Sequence, residues 1–200
     1  MSAAPRESDC SEGARPGRRP LVVGLGNPDR GDDGVGAHVL AALRVRLATP
    51  SATGRFHGPF GELPRVVAHA GGGLGLLDLW EDTPLVIVVD ALRSGDPPGT
   101  VHRYDVSAAP LPVVTRGAST HDLGLAECLE LARTLGRLPP RVIVLGVEAR
   151  SFEHGEPLGE ACSAAATTVV RMVLDELARF AAGRRAARPE GAARGGPGDA

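Results

Sequence analysis

The apolar positions of this 200-residue chain fall into runs of two kinds, and the two kinds alternate. The stretches "PLVVGLG", "PRVVAHAGGG", "TPLVIVVDAL" and "PPRVIVLGVE" carry short unbroken apolar runs rich in Val, Leu and Ile, and each predicts a buried strand. The most apolar, "TPLVIVVDAL", is expected at the centre of a sheet, and the more polar "GTVHRYDV" at an edge. Between the strands come stripes at helical spacing. In "DDGVGAHVLAALRVRL", Val35, Val39, Ala42, Leu43 and Leu47 share one face. "LGLLDLWED" predicts a short helix that carries Trp80 onto the core. "STHDLGLAECLELARTLG" predicts a helix with Ser119 or Thr120 as its N-cap and Gly136 as its stop, and "LGEACSAAATTVVRMVLDELARFAAG" a long closing helix. Apolar strands alternating with helices imply an α/β fold with a mostly parallel sheet. In such sheets chemistry gathers at the C-terminal ends of the strands.

The ends of the chain break this pattern. Residues 1–20 and 182–200 are rich in Gly, Pro, Ala and Arg and cannot bury enough apolar surface to offset chain entropy, so both are expected to be disordered. A single folded domain over 21–181 remains, interrupted by a Pro/Gly-rich loop at 48–64. Apolar residues make up 42% and aromatics only 3%, so the core must be built from Val, Leu and Ala, as in a helix-covered parallel sheet. Net charge is −2 with no basic face, which argues against a nucleic-acid partner. Cys10, Cys128 and Cys162 are far apart, odd in number and without metal-knuckle spacing, as fits a reducing compartment. No apolar run is long enough to cross a bilayer, and the first twenty residues lack the apolar stretch of a signal peptide. The expectation is a cytoplasmic protein with no membrane partner.

Three strand exits carry polar residues that an ordinary loop does not need. The first is the glycine loop "GLGNPDRGDDGVG" with Asp32 and Asp33, the second is Asp90 at the end of "LVIVVD", and the third is "STHD" with His121. Asp32 by itself reads as a turn residue or a helix-dipole partner. His38, His57, His69, His102 and His154 read as structural or solvent-exposed, with only His69 near the same rim. A dinucleotide fingerprint fails because "GLGNPD" ends in Asp29 where a glycine is needed. A phosphate loop fails because "GNPDRG" is followed by Asp32 and Asp33 instead of Lys and Ser or Thr. That replacement reverses the charge, so the loop suits a cation. No Gly-x-Ser-x-Gly elbow is present, and Cys128 lies about two turns from His121, so a serine or cysteine nucleophile is unsupported. Two carboxylates and an imidazole form an oxygen–nitrogen donor set that suits Ni, Zn or Cd in an incomplete coordination sphere.

The segments "LVVGLGNPDRGDDGVG", "LVIVVDAL", "STHDLGLAECL" and "VIVLGVEARSFEHGEPL" come in an order and spacing that resembles the hydrogenase maturation endopeptidases, over residues 20 to 180. The resemblance implies a three-layer α/β/α sandwich around a mostly parallel twisted sheet. It also implies an endopeptidase that removes the C-terminal extension of a nickel–iron hydrogenase large-subunit precursor after nickel insertion. The family's metal-contacting residues fall on Asp33, Asp90 and His121, which become the expected metal ligands and catalytic residues. Nickel would be carried by the precursor, with Zn or Cd as substitutes in vitro. The cleavage chemistry stays open between metal-assisted attack of water and a carboxylate acting as general base. A non-catalytic nickel-binding checkpoint or chaperone with the same ligands is the alternative. Asp33 departs from members that carry Glu there, keeping the carboxylate with a shorter reach. The 48–64 loop looks longer than usual for the family, and Glu148 after "VLGV" is atypical.

Overall fold

The computed structural model describes residues 19–49, 63–70, 74–112 and 124–186. Their elements run β1 (Leu21–Leu25), a 3-10 turn (Gly31–Gly34), α1 (Val35–Ala48), β2 (Arg65–His69), α2 (Leu74–Leu79), β3 (Val86–Leu92), β4 (Val101–Asp105), α3 (Leu125–Thr134), β5 (Val142–Glu148) and α4 (Glu160–Ala186). The strands form one five-stranded sheet in the order β2-β1-β3-β5-β4. β2, β1, β3 and β5 are parallel, and β4 joins antiparallel to β5 at the edge. The most apolar strand is thus the central one, and the polar "VHRYD" takes an edge.

Alternation along each strand divides the core into two layers. Val22, Ile87, Val89, Ile143 and Leu145 point into the layer covered by α1 and α4, against Val39, Leu40, Leu43, Val169 and Val173. Leu21, Val23, Val86, Val88 and Val144 point into the layer covered by α2 and α3, against Leu76, Trp80 and Leu129. Each such buried Leu, Ile or Val contributes roughly 1.5–3 kcal/mol, so two helix-covered faces suffice for a core almost without aromatics. The architecture is the α/β/α sandwich around a mostly parallel sheet.

Close approach at one point fixes the geometry of the rim. A Cβ on Gly36 would fall 2.3 Å from the Leu25 carbonyl oxygen, and one on Gly24 would fall 2.6 Å from that of Gly36. Only glycine at both places lets α1 start hard against the end of β1, which pins the turn Gly31–Gly34 over the β1 exit.

Some boundaries differ from the pattern's expectation. α3 is predicted to be capped by Ser119 or Thr120, but it begins at Leu125 behind Gly124, whose backbone is extended at φ −70°, ψ 169°. Glycine costs about 1 kcal/mol relative to alanine inside a helix, and the buried stripe Ala126, Cys128, Leu129 and Ala132 starts only after it. Its stop is as expected, with Gly136 at φ +66°. α4 runs to Ala186, past residue 181. Residues 1–18, 50–62 and 187–200, which include most of the 48–64 loop and of both tails, lie outside the described residues.

Candidate functional site

Asp90 ends the apolar run of β3 and shares strand parity with Val86 and Val88, so it faces the layer of α2 and α3. It pairs in register with Gly146 of β5. A Cβ on Gly146 would fall 1.9 Å from Leu92 Cδ2, so the Leu92 side chain occupies the space that a larger residue beside Asp90 would need.

Asp33 sits in the 3-10 turn at the exit of β1, the strand beside β3, and is 9% exposed. Its Oδ2 accepts the Asn27 N–H at 2.8 Å. Gly26, at φ +102°, closes the other side: a Cβ there would lie 2.0 Å from the Asp33 carbonyl oxygen and 2.9 Å from its Oδ1. Burial, then the charge of Asp33, push the Asp90 carboxyl up to about 7, with the Ala91 N–H acting weakly in the opposite direction. Asp33 and Asp90 thus stand at the exits of adjacent parallel strands.

The third predicted residue, His121, lies outside the described residues, as does His57. Among the described residues no three His, Cys, Asp or Glu side chains are grouped to hold a metal ion. α3, whose first residue follows His121 by four positions in the chain, covers the layer that Asp90 faces. His69 closes β2 opposite Leu25, half-buried, with its ring against Gly75 of α2. His38 and His154 are exposed, and His102 on β4 stacks on Tyr104 with its Nε2 3.1 Å from Asp96 Oδ2. Burial pushes the Cys128 thiol up to about 11 and, with the charge of Asp32, the Cys162 thiol up to about 12. Neither is a usable thiolate near neutrality.

Asp32 is not the local turn or dipole residue that the sequence suggests. It is 3% exposed, and its Oδ2 accepts the N–H groups of Arg150 at 2.7 Å and Ser151 at 3.2 Å. Its Oδ1 accepts the Gly159 N–H at 2.8 Å. Burial alone would raise its pKa, but these backbone donors and the Cys162 thiol hold it below the ordinary carboxylate range. Glu148 makes a second such anchor at the β5 exit. Its carboxylate takes the Ser94 and Gly95 N–H groups and the Ser94 hydroxyl at 2.8–2.9 Å, tying down the loop that follows Asp90's strand. Sequence alone marks Glu148 only as a carboxylate ending an apolar strand, as Asp90 does; for the Asp32 anchor it holds no signal, because the partners are more than a hundred positions away.

Comparison with known proteins gives one consistent result. A family model described as hydrogenase maturation protease matches residues 65–176, which include Asp90 and His121 but not Asp33. The chain is 29% identical over 163 residues to the hydrogenase expression/formation protein HupD of Thiocapsa roseopersicina, covering 80% of this chain and 68% of that protein. It is 30% identical over 188 residues to the HupD protein of Rhizobium leguminosarum bv. viciae, covering 90% and 84%. Among solved structures it is similar to the hydrogenase maturating endopeptidase HybD from Escherichia coli, at 27% identity and a TM-score of 0.62, covering 81% of this chain and 93% of that one.

Proposed function

The chain belongs to the hydrogenase maturation protease family, and on that premise we propose that it acts in the cytoplasm to remove the C-terminal extension of a nickel–iron hydrogenase large-subunit precursor, cutting only after nickel is in place. Membership makes it a peptide-bond hydrolase and sets aside the non-catalytic alternative. The observation that supports the nickel requirement is the carboxylate pair. Asp33 and Asp90 stand at adjacent strand exits, close enough for the charge of one to oppose ionisation of the other.

Such a pair favours a dication over any neutral or anionic group. Asp33 is held by the Asn27 N–H at its Oδ2 and packed against Gly26, which fixes its place at the β1 exit. His121 is assigned as the third donor, through a neutral imidazole. In this reading the nickel belongs to the precursor, which brings its own ligands, and the three residues complete the sphere without holding the ion tightly by themselves. The ion's chemistry is to polarise the scissile carbonyl or acidify the attacking water. A precursor without nickel offers no cation to displace the proton that Asp90 keeps up to about pH 7, so the carboxylate pair does not engage it.

Incubating the purified protein with nickel-loaded and nickel-free precursor tests this. The C-terminal peptide should be released only from the loaded form. Efficient processing of the nickel-free precursor in the presence of a chelator would overturn the nickel requirement. Asp33→Asn, Asp90→Asn and His121→Ala should each abolish release while leaving the fold intact, and activity surviving in any of them would remove that residue from the site.

A further inference from the structure

We propose that Asp32 is a positioning residue for Asp33: by clamping the 150–159 segment to the glycine turn, it fixes the direction in which Asp33 presents its carboxylate. This rests on the reading of Asp33 as a cation-binding residue of the site. The two aspartates are consecutive in one 3-10 turn, where successive side chains point about 120° apart. One short stretch of backbone carries both, so a shift of the turn that displaces Asp32 displaces Asp33 with it.

The turn is held from two sides. On one, the Asp32 carboxylate accepts the N–H groups of Arg150, Ser151 and Gly159, while the Asp32 N–H donates to Ser151 O at 3.0 Å. The Gly31 N–H donates to Glu156 O at 3.0 Å, and the Gly155 N–H to Asp29 O at 2.8 Å, so the segment is laced to the loop on both flanks of Asp32. On the other side, Gly26 is packed so tightly against Asp33 that a single methyl group would collide with it. A residue that served only a local turn would need none of the bonds to 150–159. The arrangement leaves Asp33 little freedom, with its Oδ2 on the Asn27 N–H and its charge felt at Asp90.

Two variants test the coupling from opposite ends. Asp32→Asn keeps the side chain's shape but turns one acceptor into a donor facing backbone N–H groups. Gly159→Ala leaves Asp32 unchanged, but the new Cβ would fall 2.7 Å from its Oδ1 and push the carboxylate off its partners. Cadmium ion serves as the probe, titrated calorimetrically at low temperature where circular dichroism shows each protein folded, with Asp33→Asn as the reference. Processing of nickel-loaded precursor is measured alongside. Both variants should weaken cadmium binding about tenfold or more, as the loss of a group that orients a metal ligand does. Both should also lower kcat much more than they raise KM. Wild-type affinity and kcat in the folded variants, with both lost in Asp33→Asn, would show Asp32 to be an anchor for stability alone. If Asp32→Asn does not fold, Gly159→Ala decides the matter by itself. Failure of the wild type to bind cadmium even weakly, or an unchanged affinity in Asp33→Asn, would instead sink the reading of Asp33 and this proposal with it.

Discussion

Asp90 and Asp32 belong to neighbouring strand exits, yet their surroundings move their acidities in opposite directions. Asp90 lies among apolar groups and beside a like charge, so its neutral form is favoured and its pKa rises to about 7. Asp32 is buried too, but it gathers backbone donors that favour the ion. For Asp90 the folded pKa exceeds the unfolded one, so the stability it contributes is complete below about 4 and is lost as pH rises through about 7, at roughly 1.4 kcal/mol per unit. Asp90→Asn should remove this slope. Urea midpoints of the variant should fall less than those of the wild type between about pH 4 and pH 7, the window set by the two pKa values. Equal slopes would show that Asp90 does not hold its proton. Asp32→Ala should act differently, leaving three part-buried N–H groups without their acceptor and costing about 1–3 kcal/mol in denaturant unfolding. A loss under about 1 kcal/mol would mean that Asp32 is a dipole partner after all. The contrast also marks what could be read from the chain. The placement of Asp33 and Asp90 at strand exits was legible because a carboxylate interrupts an apolar or glycine-rich run there. The work of Asp32 was not, because hydrogen bonds to residues 150–159 leave no trace in local spacing.

At the scale of elements, the pairing of β3 with β5 does most to shape the floor of the site. Both strands are buried almost throughout, which is why unbroken Val/Ile/Leu runs predicted them as buried strands and β3 as the central one. The edge position of β4 was legible from its polar residues, whereas its antiparallel direction comes from register that no run of residues encodes. α3 shows the opposite failure: "STHD" carries good capping residues, but Gly124 and the start of the buried stripe set the helix origin at Leu125. The β3–β5 pair also yields a packing test. Gly146→Ala places a Cβ 1.9 Å from Leu92 Cδ2, and Leu92 is only 5% exposed, so the side chain must leave its rotamer. Overpacking of this kind costs about 1–3 kcal/mol. Thermal unfolding should show that loss in Gly146→Ala and a partial recovery when Leu92→Ala is added, relative to Leu92→Ala alone. Strictly additive losses would mean that the two residues do not compete for one space.

The whole molecule combines these local signs into one pH profile. Asp32, Glu148 and Glu176 tie distant parts of the fold together, and all three titrate below the ordinary carboxylate range. Burial opposes ionisation at each, but backbone donors outweigh it at Asp32, Ser94 and Gly95 at Glu148, and arginines at Glu176. Glu176, on α4 and 1% exposed, meets Arg103 of β4 at 2.9 Å, Arg141 before β5 at 3.2 Å and Arg179 at 2.7 Å. For a depressed pKa the stability is present above the unfolded value and is lost as pH falls through the folded one. These three anchors therefore weaken on acidification below about pH 4.5, while Asp90 weakens the fold as pH rises toward 7. The melting temperature should peak between those limits and fall on both sides. Glu176→Gln should lower the melting temperature at the peak and flatten the acid limb. Its cost should stay below the roughly 3–5 kcal/mol of a fully buried broken pair, because the three arginines reach water. The variant leaves Asp90 untouched, so its alkaline limb should overlay that of the wild type. Scanning calorimetry across pH would read both limbs at once. An acid limb unchanged by Glu176→Gln would place the acid lability at Asp32 and Glu148, on the side of the molecule that carries the site.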